Sequence, residues 1–127
     1  MLKKFILISM CLMALPTVAG NCEGGIEIDG SENGHWYCVS NITMNWWSAH
    51  SWCRAQGRTL ATLTQACNGN AGRCYNLSGK AQTYSLPRDY AWTATPVGTG
   101  EAYVLSMSHG AIAGGIRSFK GYVAICY

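Results

Sequence analysis

The residues of this 127-residue chain that could do chemistry are seven cysteines, three histidines and six carboxylates. His35, His50 and His109 are the general-base candidates, and each has a serine nearby in sequence: Ser31, Ser48 or Ser51, and Ser106 or Ser108. Such neighbours carry little weight, because nucleophile and base converge across a fold and not along a strand. The chain has no Gly-x-Ser-x-Gly elbow, no His-Glu-x-x-His pair and no phosphate-cradling Gly-Lys-Ser/Thr loop, so no enzymatic activity is expected. His50, on a helix, is expected to be a partly buried packing residue. Glu23, Glu27, Asp29 and Glu32 lie close together near the start, but only Asp89 and Glu101 follow. Calcium takes roughly six to eight oxygen ligands, several of them carboxylates, and this supply is too thin for such a cage. Cys67 and Cys74 are the one pair spaced like zinc ligands, yet no Cys-x-x-Cys and no second cluster supports them. The expectation is a protein without metal or cofactor.

What positions these residues begins with a leader. Lys3 and Lys4 precede an apolar run from Phe5 to Leu15, and Pro16-Thr17-Val18-Ala19-Gly20 follows with small residues suited to cleavage after Ala19 or Gly20. This is the pattern of a secretory signal peptide over residues 1–20, leaving a single domain over 21–127. A bilayer-spanning helix needs roughly 20 apolar residues, and this run breaks at Pro16. The destination is therefore secreted, periplasmic or cell-surface, with no membrane insertion after cleavage. Cys11 departs with the leader, and Cys22, Cys38, Cys53, Cys67, Cys74 and Cys126 remain. An even set in an exported protein reads as disulfides, with fifteen possible connectivities that spacing alone leaves open. Without Lys3 and Lys4, nine basic residues become seven against six acids, a net charge of +1 with no basic cluster, so nucleic acid is not expected as a partner. Charged residues at 12% against 49% apolar exclude intrinsic disorder.

Along residues 21–127 the pattern is α+β. Ile26-Glu27-Ile28 and His35 to Val39 flank Asp29-Gly30 and Asn33-Gly34, a hairpin signal. Asn45 can cap a helix over Trp46 to Gln56, with Gly57 as its left-handed stop. Trp46, Ala49 and Cys53 share one face of it, while Trp47 and Trp52 fall off that stripe, so the helix is expected to bury more than one side. Asn68 to Ser85 is rich in Gly, Asn and Ser and reads as irregular. Short strands follow at Tyr90–Ala94, Ala102–Ser106, Ala111–Ile116 and Tyr122–Cys126, with glycine-bearing turns between them. Asn41-Ile42-Thr43 and Asn76-Leu77-Ser78 match the N-glycosylation pattern, read as chance behind a leader of bacterial appearance.

Trp36-Tyr37, then Asn45-Trp46-x-x-Ala49-x-x-x-Cys53-x-x-x-Gly57-x-x-Leu60-Ala61, and the closing Tyr122-Val-Ala-Ile-Cys126 resemble a C-type lectin-like domain. The resemblance implies an α+β fold of short antiparallel strands, one main helix and long loops, stapled by disulfides. It implies Cys53–Cys126 and an N-terminal Cys22–Cys38 bridge, and leaves Cys67–Cys74 as a third pair closing a small loop. The calcium-dependent sugar-binding members of that family carry Glu-Pro-Asn or Gln-Pro-Asp and a later Trp-Asn-Asp; none occurs here, since the prolines precede Thr17, Arg88 and Val97. The chain is similar to the calcium-free branch, such as the terminal domains of bacterial intimin and invasin adhesins.

The expected function is an exported binding or adhesion module that recognises a protein or glycan at a cell surface through its loops. An assembly subunit of a bacterial surface structure and a secreted inhibitor are the alternatives. Loops carry function on such a fold, and the candidate contact residues are Tyr103, His109, Arg117 and Lys120 along Pro96–Glu101 and His109–Lys120. Trp36, Trp46, Trp47, Trp52 and Trp92 are expected to supply much of the core, leaving at most one or two at a sugar or partner surface, with Trp47 the best candidate. A calcium site saturated about a hundredfold over its Kd would add about 2.7 kcal/mol and raise Tm by several degrees. A thermal melt with and without calcium is expected to show no shift, and a shift abolished by Glu101→Gln would restore calcium-dependent binding.

Overall fold

The computed structural model describes residues 22–31, 33–67 and 72–127. Residues 1–21, which include the expected signal peptide, Glu32 and residues 68–71 lie outside the described residues. The elements in chain order are β1 (Gly25–Asp29), β2 (Trp36–Ser40), α1 (Trp46–Ala55), α2 (Leu63–Cys67), a 3₁₀ turn (Tyr75–Leu77), α3 (Lys80–Thr83), β3 (Tyr90–Val97), β4 (Glu101–Ser106), β5 (Ile112–Ile116) and β6 (Val123–Cys126). The described residues form one six-stranded sheet in the order β1-β2-β6-β3-β4-β5. All neighbours are antiparallel except β3 and β6, which run parallel with Ala91 beside Val123 and Trp92 beside Ala124. This is an α+β domain, as the pattern implies. Among the described residues no helix is long and apolar enough to cross a membrane.

The last strand, β6, sits inside the sheet, and its four residues Val-Ala-Ile-Cys are all buried. A strand covered on both faces reads as a continuous apolar run, without polar alternation. Val123 and Ile125 join Tyr37, Val39, Ala91 and Leu105 on one face, beneath Ala61, Ala66, Cys67, Cys74 and Leu77. Ala124 and Cys126 join Cys38, Trp92, Ala102 and Val104 on the other, beneath Ala49 and Cys53 of α1. The sheet is thus a middle layer between α1 and a cover of short turns.

Local chemistry sets α1. Asn45, extended at φ −80° and ψ 174°, accepts from the Ser48 amide through Oδ1 at 2.8 Å. At the other end Gly57 has φ +74°, and the amides of Gly57 and Arg58 donate to Arg54 O at 2.9 Å and Cys53 O at 3.0 Å. Those two bonds are the Schellman stop, which needs the left-handed residue that glycine supplies.

The cysteines pair as Cys22–Cys38, Cys53–Cys126 and Cys67–Cys74, with Cα separations of 5.5, 5.4 and 4.5 Å. Cys53–Cys126 ties α1 to β6. Cys67–Cys74 ties α2 to the 3₁₀ turn across residues outside the description.

Two readings need correction. The stretch from Asn68 to Ser85 is not wholly irregular: among the described residues it contains the 3₁₀ turn and α3, and α2 ends just before it at Cys67. Single turns this short show no hydrophobic period in sequence. They are held instead by buried polar groups. Asn76 is fully buried, donating through Nδ2 to Ala66 O at 3.1 Å and Tyr37 Oη at 3.2 Å, while Tyr37 Oη donates to Gln65 O at 2.6 Å. Burial pushes the Tyr37 phenol up from its usual pKa. A glycan on Asn76 has no room, whereas Asn41 is exposed. The second correction concerns β3, which runs on to Val97 through a register shift between Trp92 and Pro96. Proline is tolerated there because the bulge interrupts the ladder.

The two bridges of contrasting span give a test. Cys53 and Cys126 are 73 residues apart and Cys67 and Cys74 are 7 apart, so unfolded-state entropy favours the longer loop by about 2 kcal/mol. In urea melts the double alanine variant of the first pair is expected to lose more stability than that of the second. Equal losses would contradict the entropic account of the clamp.

Candidate functional site

The first residues of α1 are pinned on three sides. The Trp92 indole donates to Met44 O at 2.7 Å, the Trp46 indole to Thr93 O at 2.9 Å, and the Trp46 amide to Arg117 O at 3.0 Å. Buried indoles need such acceptors, and here they fix the entry to the helix against β3 and the β5–β6 connection. Successive residues of a helix point about 100° apart. With Trp46 turned to the sheet, Trp47 turns outward and is 53% exposed. Ile42, 61% exposed, stands across from it. With Met44, Ser48, Ser51 and Trp52 they line an open recess of about 560 Å³.

Arg117 lies beside this surface but does not reach out from it. Its guanidinium carbon is 4.4 Å from the Trp46 ring centroid. Nε donates to Glu101 O at 3.0 Å and Nη2 to Gly98 O at 3.3 Å. The cation is spent on the face of an indole and on the β3–β4 turn, a positioning role.

The remaining candidates are dispersed. Tyr103 is half-buried on β4, opposite Gly114, with its carbonyl accepting from Thr93 Oγ1 at 2.9 Å. Lys120 is exposed between β5 and β6. His109 is exposed in the β4–β5 turn, its amide donating to Ser106 Oγ at 3.0 Å and its carbonyl accepting from Arg73 Nε at 2.8 Å. The length of β4, about 17 Å for strand geometry, separates this turn from the Gly98–Glu101 end where Arg117 sits. The structure brings Trp47 and Arg117 into one neighbourhood through Trp46, and leaves His109 at the opposite end of the sheet. The two late carboxylates are parted in the same way. Asp89 accepts from Ser106 Oγ and the Ser108 amide beside the β4–β5 turn, while Glu101 begins β4. Among the described residues no group of three or more His, Cys, Asp or Glu converges.

Two further surfaces were not read from sequence. Trp36 is 52% exposed and, with Glu27, His35, Arg58 and Tyr127, lines a groove of about 660 Å³. Arg58 bonds Glu27 Oε1 at 3.1 Å and Trp36 O at 2.9 Å, and His35 stacks on Tyr127 with centroids 3.9 Å apart. The signal was the alternation in β2, where Tyr37 and Val39 face one side and Trp36 the strand's exposed end. Ile116 and Phe119, 63% and 50% exposed, flank a smaller recess of about 240 Å³ with Gly114, Gly115 and Tyr122.

With this geometry in view, no protein-family model matches the chain, and no curated protein matches it.

His50 supports the site from behind. Its ring meets Trp46 edge-on with centroids 4.4 Å apart, and its Nε2 is buried without a hydrogen-bond partner. Burial, then the charges of Arg54 and Arg117, hold its pKa below the usual 6.5. The unfolded chain therefore takes up a proton that the folded chain resists, and stability falls as pH drops through the unfolded histidine range. Urea melts between neutral and mildly acidic pH are expected to show this loss in the native sequence and a flatter profile in His50→Gln. Parallel profiles for the two would contradict the assignment.

Proposed function

We propose that the chain is a small exported binding module of C-type lectin-like fold that docks a protein partner through the Trp47 recess, without calcium and without covalent chemistry. The lectin-like reading is supported by the Trp46-x-x-Ala49-x-x-x-Cys53 helix motif and by a bridge from that helix to the last strand. Three bridges suit an oxidising compartment, which supports the export reading of the leader.

The observation that carries the docking reading is the exposure of Trp47 and Ile42 on a helix start fixed by three hydrogen bonds. Exposed aromatics held rigid lose little entropy on binding and dominate interface energetics. A protein side chain suits the recess better than a sugar. Ile42, Met44, Trp47 and Trp52 supply most of the lining, and Ser48 and Ser51 supply the side-chain hydroxyls. A sugar ring carries several hydroxyls that would each need a fixed partner there. An assembly role is the second reading, favoured by the uncharged outer edge of β5.

The refolded domain, probed on parallel arrays of extracellular protein domains and of glycans, is expected to bind proteins with no calcium dependence. Trp47→Ala should weaken those hits at least tenfold, about 1.4 kcal/mol, and leave the melting curve near that of the native sequence. Binding confined to glycans, or protein binding that Trp47→Ala leaves unchanged, would overturn the reading.

A further inference from the structure

The two edges of the sheet are built differently. β1 presents Gly-Ile-Glu-Ile-Asp, and self-pairing about its central Glu27 would set that carboxylate against its own copy. Like charges directly opposite destabilise a strand pair, and charged edges are the usual guard against unwanted pairing. β5 presents Ile-Ala-Gly-Gly-Ile, with no charge and no proline, and Ala113, Gly114 and Ile116 are exposed. β5 itself carries no such guard, and the charge nearest its centre is the Glu101 carboxylate of β4, which lies over Gly114.

Its hydrogen-bonding parity is fixed by its ends. Ser106 N donates to Ala111 O at 2.8 Å and Arg117 N to Gly100 O at 2.9 Å, so the odd residues of β5 bond inward to β4. Ladder bonds alternate along an antiparallel strand, which turns the backbone groups of Ile112, Gly114 and Ile116 outward. The sequence is also close to a palindrome about Gly114. We infer that β5 pairs antiparallel with β5 of a second copy, about a two-fold axis at Gly114, to make one continuous sheet across a dimer.

In this register Gly114 meets its own copy, and Ile112 meets Ile116 of the second chain. All three are the outward-bonding residues, so parity and sequence symmetry select the same alignment. The Ile116 carbonyl already accepts from Phe119 N at 2.9 Å, and a carbonyl oxygen has a second lone pair for the added strand. On the isoleucine face each Ile112 packs against an Ile116, the kind of apolar cross-strand pair that stabilises sheets. On the other face Ala113 falls opposite Gly115, which has no side chain and opens the 240 Å³ recess lined by Phe119 and Tyr122. Small meets absent, and large meets large. An isologous contact of this kind closes at two copies. The Trp47 recess, on the far side of Trp46 and Arg117, stays open in each, so a dimer would present two docking sites and gain by linkage.

Sedimentation equilibrium of the disulfide-bonded domain over a range of concentrations tests the pairing. The native sequence is expected to move from monomer towards dimer mass, and Ile116→Lys to stay monomeric at every concentration. Trp47→Ala should dimerise as the native sequence does, so this result is independent of the docking reading. Register is tested by adding one cysteine: Gly114→Cys should give a covalent dimer on mild oxidation, whereas Ile116→Cys alone should not, since it faces Ile112 of the second chain. A native sequence that is monomeric at millimolar concentration, a dimer that Ile116→Lys leaves intact, or equal cross-linking by the two cysteine variants would overturn the proposal.

Discussion

Everything in this domain depends on covering a four-residue strand on both faces. β6 is fully buried, and its residues have no polar side chain to turn outward. One face therefore needs α1 and the other needs the turn-rich segment between α1 and β3. Cys126 makes the first of these permanent by its bond to Cys53. The strand's backbone is served with equal care. The Ala124 amide donates to the Ser40 hydroxyl at 2.9 Å, and that hydroxyl donates on to Ile42 O at 2.7 Å. The Ala61 amide reaches Ile125 O at 2.8 Å, and the Tyr127 amide reaches Thr59 O at 2.7 Å. A buried polar group left unpaired costs about 1–3 kcal/mol, so these small contacts decide whether the central strand can be buried.

The surface features follow from that covering. Because α1 is held by Cys53 at one end and by Trp46 at the other, its outward residue Trp47 has a fixed orientation. Arg117 contributes by lying on the Trp46 ring and bonding the β3–β4 turn, which links the helix start to the far strands of the sheet. Trp92 packs edge-on against Tyr122, with centroids 5.0 Å apart, and Tyr122 does the same with Phe119 at 4.8 Å. Aromatic contacts thus run from the core to the edge at β5. A rigid start to α1 and a plain outer strand are two outcomes of one packing scheme.

The sequence was most legible where a local rule decides the structure. Asn45 and Gly57 mark the ends of α1 because capping and left-handed geometry select those residue types. The strands were legible through apolar runs bounded by glycine. The cover of short helices was not, since it rests on Asn76 meeting Tyr37 and on Cys67 meeting Cys74, contacts between segments with no periodic trace. The grouping of the candidate contact residues was legible only in part. Pro96–Glu101 and His109–Lys120 are close along the chain, but antiparallel connections place consecutive turns at opposite ends of a strand, so His109 and Arg117 are parted by β4. The off-stripe place of Trp47 on α1 implies burial on a second side of the helix, whereas the side chain is 53% exposed because, among the described residues, nothing packs over that side of the helix start. Aromatic size alone places Trp36 with the core, but it is 52% exposed at the start of β2.

Native-state hydrogen exchange at β6 tests this account most directly. If covering β6 is the constraint on which the fold rests, the amides of Ala124 and Ile125 exchange only through global unfolding, at the free energy that urea melts report. The amides of Val104 and Leu105 in β4 then exchange no more slowly. Exchange of Ala124 and Ile125 through a local opening, while β4 remains protected, would contradict it.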